Sequence, residues 1–408
     1  MANSLGLIIP PDSKSLLVHY PNGNYETYGG NDSNLTLKIK DAKIIPSILL
    51  NPNLGFSEAY MNGKIDYFTP DGNLDELIKL FFNSNLKIKN KILALPAVIA
   101  WFFKHQWSLI NNNRILSRKN VTRHYDHPSE LYQYMLDPNQ TGNIQYSCAF
   151  FPTADSTLVE AQNHKSKVTL DKLNLQPGDK VLDIGCGFGG LGFYALNNYP
   201  GITYFGITTS PKQYQWVIQK IAELKIQNRF FIKLLDWRDL RPGYINYPKG
   251  WPVNFDKIVS VGMFEHVGKY QSPKFCRLCY KLLKSDGLFL LHTIVRSSPT
   301  LLPDTFVLKY IFPGSDIPVD YRIMDWLSRA EFKHLSNDRW GEHYAQTLIH
   351  WRNNFREYWI KIIEPAFRII NSNKDPAVFK RMWELYLAGS IVCFQTKHLN
   401  LAQFLVKK

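Results

Sequence analysis

The sequence lacks the features that mark secreted and membrane-spanning proteins. Its 408 residues include only five cysteines, too few for a disulfide scaffold, so we expect a reducing cytoplasmic setting. The stretch Met1–Pro10 has neither a basic n-region nor a cleavage site, so it does not predict a signal peptide. The longest apolar run, Ile92–Phe103, has about half of the roughly 20 residues that a membrane span needs, and Pro96 interrupts it. The sequence therefore predicts a protein that is not integral to a membrane.

Acidic residues are also scarce relative to basic ones, and the net charge is +14. This balance favours an acidic partner, either nucleic acid or an anionic membrane surface. The basic tract Lys104–Arg123 contains no acid and follows the apolar run Ile92–Phe103, a composition typical of a segment that lies on anionic lipid. A buried linker helix with a solvated basic face explains the tract equally well. No nucleic-acid-binding motif accompanies it, so we expect no nucleic-acid partner.

The first part of the chain predicts a small α+β domain over residues 1–90. Ser15–Tyr20 and Tyr25–Gly29 flank an Asn-Gly turn and predict a hairpin. Leu35–Lys40 alternates apolar and polar residues as a strand does, and Leu74–Phe82 predicts an amphipathic helix. The segment Phe56–Lys64, FSEAYMNGK, resembles lipid-binding modules of the sterol-carrier type. Residues 91–123 are interpreted as a basic and apolar linker, and residues 124–408 as the second domain.

Short apolar strands alternate with helical stretches in the second domain. This alternation predicts an α/β fold with a parallel sheet covered by helices on both faces. The predicted strands are Val181–Ile184, Thr203–Ile207, Phe230–Leu235, Lys257–Val261 and Leu288–His292.

A glycine-rich turn follows the first of these strands in the motif VLDIGCGFGG, Val181–Gly190. The strand contains Asp183 near its end, and Gly185, Gly187 and Gly189 follow it. Glycines at this place let the backbone approach a ligand closely, and the next helix offers its N-terminus. The G-x-G-x-G spacing differs from the dinucleotide fingerprint G-x-G-x-x-G. It resembles the first motif of class I S-adenosylmethionine methyltransferases, which implies a Rossmann-like sheet of seven strands.

Polar residues at the next two strand ends are candidates for the rest of such a cofactor site. Thr208, Ser210 and Gln213 stand where many class I methyltransferases have an acid for the ribose hydroxyls. Ser210 also predicts a helix N-cap, with Pro211 in the first turn. After the third strand, Asp236 supplies a carboxylate for the adenine amino group and Trp237 an aromatic face. Core packing is the alternative role for Trp237.

Six further motifs occur in order along the chain: HYDHPSELYQYMLDP, QYSCAFF, VGMFEHVG, LLHTI, KYIFPG and EHYAQTLIHW. Together they resemble the cyclopropane-fatty-acid synthase family, which includes the mycolic acid cyclopropane synthases, over roughly residues 120–408. The resemblance implies that the double bond of an acyl chain attacks the sulfonium methyl of S-adenosylmethionine. The resulting carbocation loses a proton from the added methyl group, and a cyclopropane ring closes.

The resemblance also implies which residues hold the ligands. Bicarbonate, the base of this family, would be held by Cys148, Glu265, His292, Tyr344 and the backbone of Ile294. Glu265 and His292 follow or end predicted strands, so both are expected at the carboxyl edge of the sheet, where open α/β folds bind ligands.

The same motif set implies that Tyr146 and Ser147 contact the cofactor. Structural roles are the alternatives throughout: Cys148 as a small buried apolar residue, His292 as a satisfied histidine, and Tyr146 and Ser147 as strand or turn residues.

Two cysteine patterns bear on the chemistry. Cys276 and Cys279 form a C-x-x-C, but no second pair follows, so core packing on one helix face is favoured over zinc. Many relatives have a cysteine where this chain has Ser390, while Cys393 lies one helical turn later. We therefore expect no metal at Cys276 and Cys279, and no cysteine nucleophile at position 390.

Three functions remain at this stage. The favoured one is ring formation on unsaturated phospholipid acyl chains, by a cytoplasmic protein that associates peripherally with the inner face of the membrane. A related lipid methyltransferase that gives a methyl-branched or hydroxylated chain is the alternative, and a non-catalytic lipid-binding protein is the third. A homodimer is in keeping with the resemblance.

Overall fold

A computed structural model describes residues 15–29, 34–83, 127–299 and 304–408. These residues divide into two units, each with its own core. The first contains those within Met1–Trp107, Leu302–Ile311 and Asn371–Cys393, and the second those within Ser108–Leu301, Phe312–Ile370 and Phe394–Lys408. The predicted linker, residues 91–123, lies outside the described residues, so the domain boundaries at 90 and 123 stay predictions.

The first unit contains a four-stranded sheet in the order β2-β1-β3-β4. The predicted hairpin is confirmed, because β1 and β2 pair antiparallel around the Asn-Gly turn. The segment FSEAYMNGK lies largely in a helix that the sequence did not predict. The elements are β1 Leu16–His19, β2 Tyr25–Tyr28, β3 Leu35–Ile39, α1 Ile45–Leu50, α2 Pro52–Met61, β4 Ile65–Phe68 and α3 Asp75–Asn83.

Two later segments of the chain also belong to this unit. Asn53 on α2 accepts hydrogen bonds from the Thr305 hydroxyl and the Phe306 N–H. Arg381 donates to the carbonyl of Ile65 and forms an ion pair with Asp66 at 2.6 Å. The N-terminal sheet is therefore packed against residues that come from much later in the sequence.

The second unit contains a seven-stranded sheet in the order β10-β11-β9-β8-β5-β6-β7. All five predicted strands are present and parallel to their neighbours in that group, which confirms the α/β class. The sequence did not predict the two antiparallel strands that complete the sheet. The strands are β5 Lys180–Ile184, β6 Thr203–Thr208, β7 Phe230–Leu234, β8 Phe255–Val261, β9 Leu283–Arg296, β10 Lys333–Arg339 and β11 Leu399–Lys407.

Local capping signals explain where the helices around this sheet begin. A capping box between Thr157 and Glu160 starts α5, and the Ser210 side chain caps α7 as predicted, with Pro211 in its first turn. The helices are α4 Ser129–Leu136, α5 Leu158–Lys172, α6 Gly190–Asn198, α7 Pro211–Glu223, α8 Ser272–Leu282, α9 Asp320–Arg329, α10 Gly341–Tyr358, α11 Glu364–Ile370 and α12 Pro376–Gln395, whose last two residues belong to this unit.

The central strands are buried on both faces, which is why they read as continuous apolar runs. Cys276 and Cys279 lie on α8 with both thiols buried in the larger core cluster, which confirms core packing. Within the described ranges no group of His, Cys, Asp or Glu is arranged to hold a metal ion. Among the helices that the structure describes, none has the length and hydropathy needed to cross a membrane.

Candidate active site

The glycine-rich turn after β5 adopts a conformation that side chains rarely tolerate. Gly185, Gly187 and Gly189 have φ angles of 91°, 57° and 80°, in the left-handed region that favours glycine. A Cβ at Gly185 would lie 2.6 Å from the Met263 side chain, whereas a Cβ at Gly187 would meet nothing within 4 Å. The turn is therefore closed against β8 on one side and open to a ligand at Gly187.

The polar residues after β6 bond to one another. The Thr208 hydroxyl donates to Gln213 Oε1 at 2.7 Å, and the Ser210 N–H donates to the Thr208 oxygen at 3.2 Å. All three side chains are at most 5% exposed. Because its carbonyl oxygen is already bonded, Gln213 has its amide N–H groups left for a ligand.

A cavity of about 420 Å³ opens beside these residues. Phe188 of the glycine turn and the first turns of α4 and α7 line it, so it lies at the carboxyl ends of β5 and β6. The Trp216 indole N–H lies in its wall, buried and without a hydrogen-bond partner. The lining residues are Ser129, Tyr132, Gln133, Phe188, Ser210, Pro211, Lys212, Gln213, Gln215, Trp216 and Gln219.

Asp236 and Trp237 follow β7 but are engaged by a neighbour. The Arg238 guanidinium contacts both carboxylate oxygens of Asp236 at 2.7 and 2.9 Å, and it also covers the Trp237 ring at 4.8 Å. The Trp237 ring packs edge-on against Phe275 in the core. An adenine amino group at Asp236 would therefore share the carboxylate with Arg238, and Trp237 has the packing role that the sequence left open.

The segment before α5 brings polar groups to the start of α6. Gln145 packs so closely against Gly190 that a Cβ there would lie 2.7 Å from its Cγ. The Ser147 side chain is 7% exposed and lies next to Gly262 at the end of β8. Tyr146 packs its ring against Tyr132 and Trp351, at 5.7 and 5.1 Å.

A buried lysine that the sequence did not single out holds this segment. Lys165 on α5 is 1% exposed, and its ammonium donates to Gln145 Oε1 and to Ser147 Oγ. Burial lowers the pKa of Lys165 to about 7, and the Cys148 side chain and the Asp183 carboxylate oppose this shift. While Lys165 carries its proton, its ammonium has three donors and no acceptor, so Ser147 accepts from it and keeps its own hydroxyl proton to donate.

Asp183 lies behind the glycine turn. Its carboxylate is 2% exposed and accepts a hydrogen bond from the Tyr204 hydroxyl at 2.8 Å. Burial raises the pKa of Asp183 to about 7, while the hydrogen bond from Tyr204 and the charge of Lys165 oppose that rise. In the structure Asp183 therefore serves as the buried hydrogen-bond acceptor of Tyr204 and as a charge that interacts with Lys165.

Glu265 stands at the end of β8, next to β9. Its Oε1 accepts a hydrogen bond from the Ile294 N–H at 2.7 Å, whereas its buried Oε2 has no partner. Burial raises the pKa of Glu265, although the N–H groups of Ile294 and of Glu265 itself and the Thr293 hydroxyl oppose the rise. The Ile294 N–H is therefore used by Glu265 Oε1. Leaving a buried acceptor such as Oε2 without a partner normally destabilises the folded protein by about 1–3 kcal/mol.

His292 lies in β9 directly opposite Gln403 of β11. It is completely buried, and Gln403 Nε2 lies 3.1 Å from its Nδ1. Its Nε2 has no hydrogen-bond partner, although it too is buried. Burial first, and then the charges of Lys165 and Lys172, hold the pKa of His292 well below its ordinary value.

Cys148 and Tyr344 meet in a third group of side chains. Cys148 is fully buried in a small apolar cluster with Trp340 and Leu401, and Ile294 and Tyr344 pack against that cluster. Burial raises the pKa of the Cys148 thiol far above its ordinary value, so the sulfur stays protonated. The ring of His292 packs edge-on against Trp340 at 5.5 Å.

The structure therefore brings the five residues predicted for the base into one neighbourhood. Glu265 is joined to this neighbourhood by its hydrogen bond from the Ile294 N–H, and His292 by the packing of its ring against Trp340. The predicted cofactor residues lie around the glycine turn and at the ends of β6 and β7. Sequence reasoning missed Lys165 and Gln403, because their signal is the polar composition of the buried face of α5 and of the interior of β11. It also assigned no role to Gln145, although this residue begins the motif QYSCAFF.

Comparisons with known proteins give this arrangement a family. The family model described as mycolic acid cyclopropane synthetase matches residues 112–404. The chain belongs to that family.

Characterised relatives match most of the chain. The cyclopropane-fatty-acyl-phospholipid synthase of Escherichia coli K12 is 31% identical over 379 residues, which cover 90% of this chain and 86% of the relative. The structure of the cyclopropane synthase MmaA2 from Mycobacterium tuberculosis has 29% identity and a TM-score of 0.62, covering 71% of this chain and 98% of the other. The mycolic acid cyclopropane synthase CmaA1, complexed with SAH and CTAB, has 30% identity, a TM-score of 0.61 and the same coverage. The class I methyltransferase fold is therefore confirmed.

The N-terminal part of the chain has a match of its own. Residues 11–91 match a family described as a domain of unknown function, DUF7884. The sterol-carrier likeness of this part thus stays a prediction.

Proposed function

We propose that the protein uses S-adenosylmethionine to form cyclopropane rings on the double bonds of unsaturated phospholipid acyl chains. The reaction adds one CH2 across each double bond and releases S-adenosylhomocysteine and a proton. The chain is a member of a family of cyclopropane synthases, and the solved relative CmaA1 is complexed with SAH. The single observation that carries the proposal is the pair of orphaned polar atoms, Glu265 Oε2 and His292 Nε2, buried at the carboxyl edge of the sheet.

A phospholipid is favoured over a mycolic acid because of the extent of the similarity. The Escherichia coli phospholipid enzyme matches 90% of the chain, and the mycolic acid enzymes with solved structures match 71%. The net charge of +14 suits an anionic bilayer surface. We therefore include in the proposal a peripheral association with the cytoplasmic face of the membrane. A homodimer is also part of the proposal.

The cofactor's orientation follows from the order of the strands. The cavity and the polar groups after β6 and β7 suit the adenosine part, because they provide hydroxyl, amide and carboxylate groups. The amino-acid part then lies toward β5 and β8, where Ser147 offers its hydroxyl and Lys165 a positive charge. This orientation directs the reactive end of the cofactor toward Glu265, which follows β8, and toward His292 of β9, which pairs with the last residue of β8.

Bicarbonate fits the groups that are left without partners. Its oxygens can accept a hydrogen bond from His292 Nε2, and its hydroxyl can donate to Glu265 Oε2, so both orphaned atoms would be satisfied. When bound, S-adenosylmethionine supplies the methyl group and bicarbonate the base for the proton that leaves it.

The protein's own residues orient the reactants and exclude water. Cys148 contributes packing, because its protonated thiol donates only to carbonyl oxygens, of Ala149 at 3.1 Å and Trp340 at 3.8 Å. The Ile294 N–H fixes the Glu265 carboxylate in place. The buried setting of these groups strengthens their electrostatic effect on the developing cation.

The direct test is a reaction with unsaturated phospholipid vesicles and S-adenosylmethionine. We expect one methylene added per double bond by mass spectrometry, with the upfield proton resonances that cyclopropyl CH2 groups show in NMR spectra. Recovery of a methyl-branched or exomethylene chain would replace ring formation by the related lipid methyltransfer. Unchanged lipid, with S-adenosylhomocysteine bound normally, would reject the substrate class.

A further inference from the structure

The Gln403 side chain contacts the ring nitrogen of His292 that is opposite its unpartnered Nε2. Gln403 Nε2 lies 3.1 Å from His292 Nδ1 and 3.0 Å from the Thr169 oxygen. Gln403 Oε1 in turn accepts a hydrogen bond from the Lys172 ammonium at 2.6 Å. Lys172 is itself anchored, because it pairs with Asp338.

The hydrogen-bonding capacities of these groups leave one arrangement. An ammonium has only donors, so the Gln403 atom that meets Lys172 must be the carbonyl oxygen. The Gln403 NH2 group therefore faces His292, and an NH2 group can only donate. His292 Nδ1 must accept, which places the ring proton on Nε2.

We propose that Lys172 and Gln403 are positioning residues that lock His292 in the tautomer whose Nε2 carries the proton. A neutral Nε2–H is a donor and attracts an anionic oxygen, whereas a bare Nε2 would present a lone pair to it. Burial of His292 supports this role, because its lowered pKa keeps the ring neutral.

The role of this tautomer in catalysis rests on the proposed function, but the tautomer itself can be measured without cofactor or lipid. Protein with ¹⁵N-labelled histidine is examined by two-bond ¹⁵N–¹H correlation NMR, and the His292→Asn variant assigns the signal. In the native protein we expect an unprotonated Nδ1 and a protonated Nε2. In Gln403→Glu the carboxylate accepts from Nδ1, so the Nδ1 resonance should shift to the range of protonated ring nitrogens.

Lys172→Met gives a second test that leaves Gln403 in place. Without the ammonium the amide can turn, so the single tautomer should be lost. The matched control is Lys167→Met on the same helix, whose lysine is exposed and pairs with Asp171, and its His292 signals should be native.

A protonated Nδ1 in the native protein would overturn the proposal, whether or not the variants fold. The native tautomer unchanged in folded Gln403→Glu or folded Lys172→Met would overturn it as well. These outcomes are independent of ring formation, so failure of the lipid assay alone would count against the proposed function and leave the tautomer assignment standing.

Discussion

Two regions at the carboxyl edge of the seven-stranded sheet differ in how the hydrogen bonds of their polar groups are satisfied. The first end follows β6 and β7, and the second lies at β8 and β9. After β6 and β7, Thr208 bonds to Gln213 and Asp236 bonds to Arg238, so the protein itself supplies the main partners, although the Trp216 indole N–H in the cavity wall is left without one. Glu265, which follows β8, and His292 of β9, which pairs with the last residue of β8, each keep one buried polar atom without a partner. The difference indicates that the first end is prepared to recognise a ligand, whereas the second is incomplete until a polar ligand joins it.

The largest effect is expected at the incomplete end. Glu265→Gln replaces a carboxylate acceptor by an amide that can donate, so the hydrogen bond proposed between Glu265 Oε2 and bicarbonate would be lost. We expect turnover on unsaturated phospholipid vesicles to fall by about 100-fold or more. The dissociation constant for S-adenosylhomocysteine, measured by calorimetry, should change by less than about threefold.

Glu342→Gln is the matched control, because that glutamate is 85% exposed and pairs only loosely with Lys397 at 3.5 Å. It should leave turnover unchanged. An equal loss of turnover and cofactor affinity in Glu265→Gln would mean that Glu265 serves the fold.

A smaller effect, on cofactor affinity, is expected for Lys165, whose partner Ser147 lies next to Gly262 after β8. Lys165→Met removes the ammonium that bonds to Ser147 Oγ and that, in the proposed orientation, turns the Ser147 hydroxyl toward the carboxylate of the cofactor. A charge-assisted hydrogen bond contributes about 2 kcal/mol, so at pH 6, below the pKa of about 7 of Lys165, S-adenosylhomocysteine should bind roughly 30-fold more weakly. Methylthioadenosine, which lacks the amino-acid part, should bind almost as before.

Lys167→Met serves as the control here too, because it changes the same helix outside the site. Equal weakening of the two ligands by Lys165→Met would contradict the orientation proposed for the cofactor.

At the satisfied end we expect a modest and uniform effect. Gln213→Leu removes one neutral hydrogen-bonding group, worth about 1 kcal/mol, so both ligands should bind roughly fivefold more weakly. Turnover at saturating cofactor should stay close to native. Weaker binding of S-adenosylhomocysteine alone, with methylthioadenosine bound as before, would place the amino-acid part of the cofactor at this end. That result would contradict the proposed orientation.

The smallest effect is expected for Cys148→Ala. The thiol is buried and protonated, and its hydrogen bonds go to two carbonyl oxygens, so its removal should change turnover by no more than about threefold. Kinetics under the conditions used for Glu265→Gln check this. A loss of 100-fold in a folded variant would mean that the thiol touches the reacting groups.

The sequence predicted the parallel strands because burial on both faces gives them continuous apolar runs. It did not predict β10, whose residues alternate between exposed and half-buried and carry mostly polar side chains. β11 was missed although most of it is buried, because Gln403 interrupts its apolar run.

The sequence predicted the site residues that belong to recognisable motifs. It missed the residues whose hydrogen-bond partners lie far away in the sequence. The buried face of α5 includes Gln162, Lys165, Ser166 and Thr169. Polar residues at helical spacing ordinarily indicate a solvated face, so only the contacts reveal that this face is internal. Likewise, the pairing of Gln403 with His292 depends on strand register that no local pattern encodes.

The central claim is that the methyl group is delivered and then loses a proton at the Glu265 and His292 end. Reaction with S-adenosylmethionine whose methyl group is fully deuterated tests it most directly. We predict that the recovered phospholipid carries a cyclopropane CD2, with two of the three deuterium atoms retained. A product that keeps all three deuterium atoms as a CD3 branch would contradict the claim.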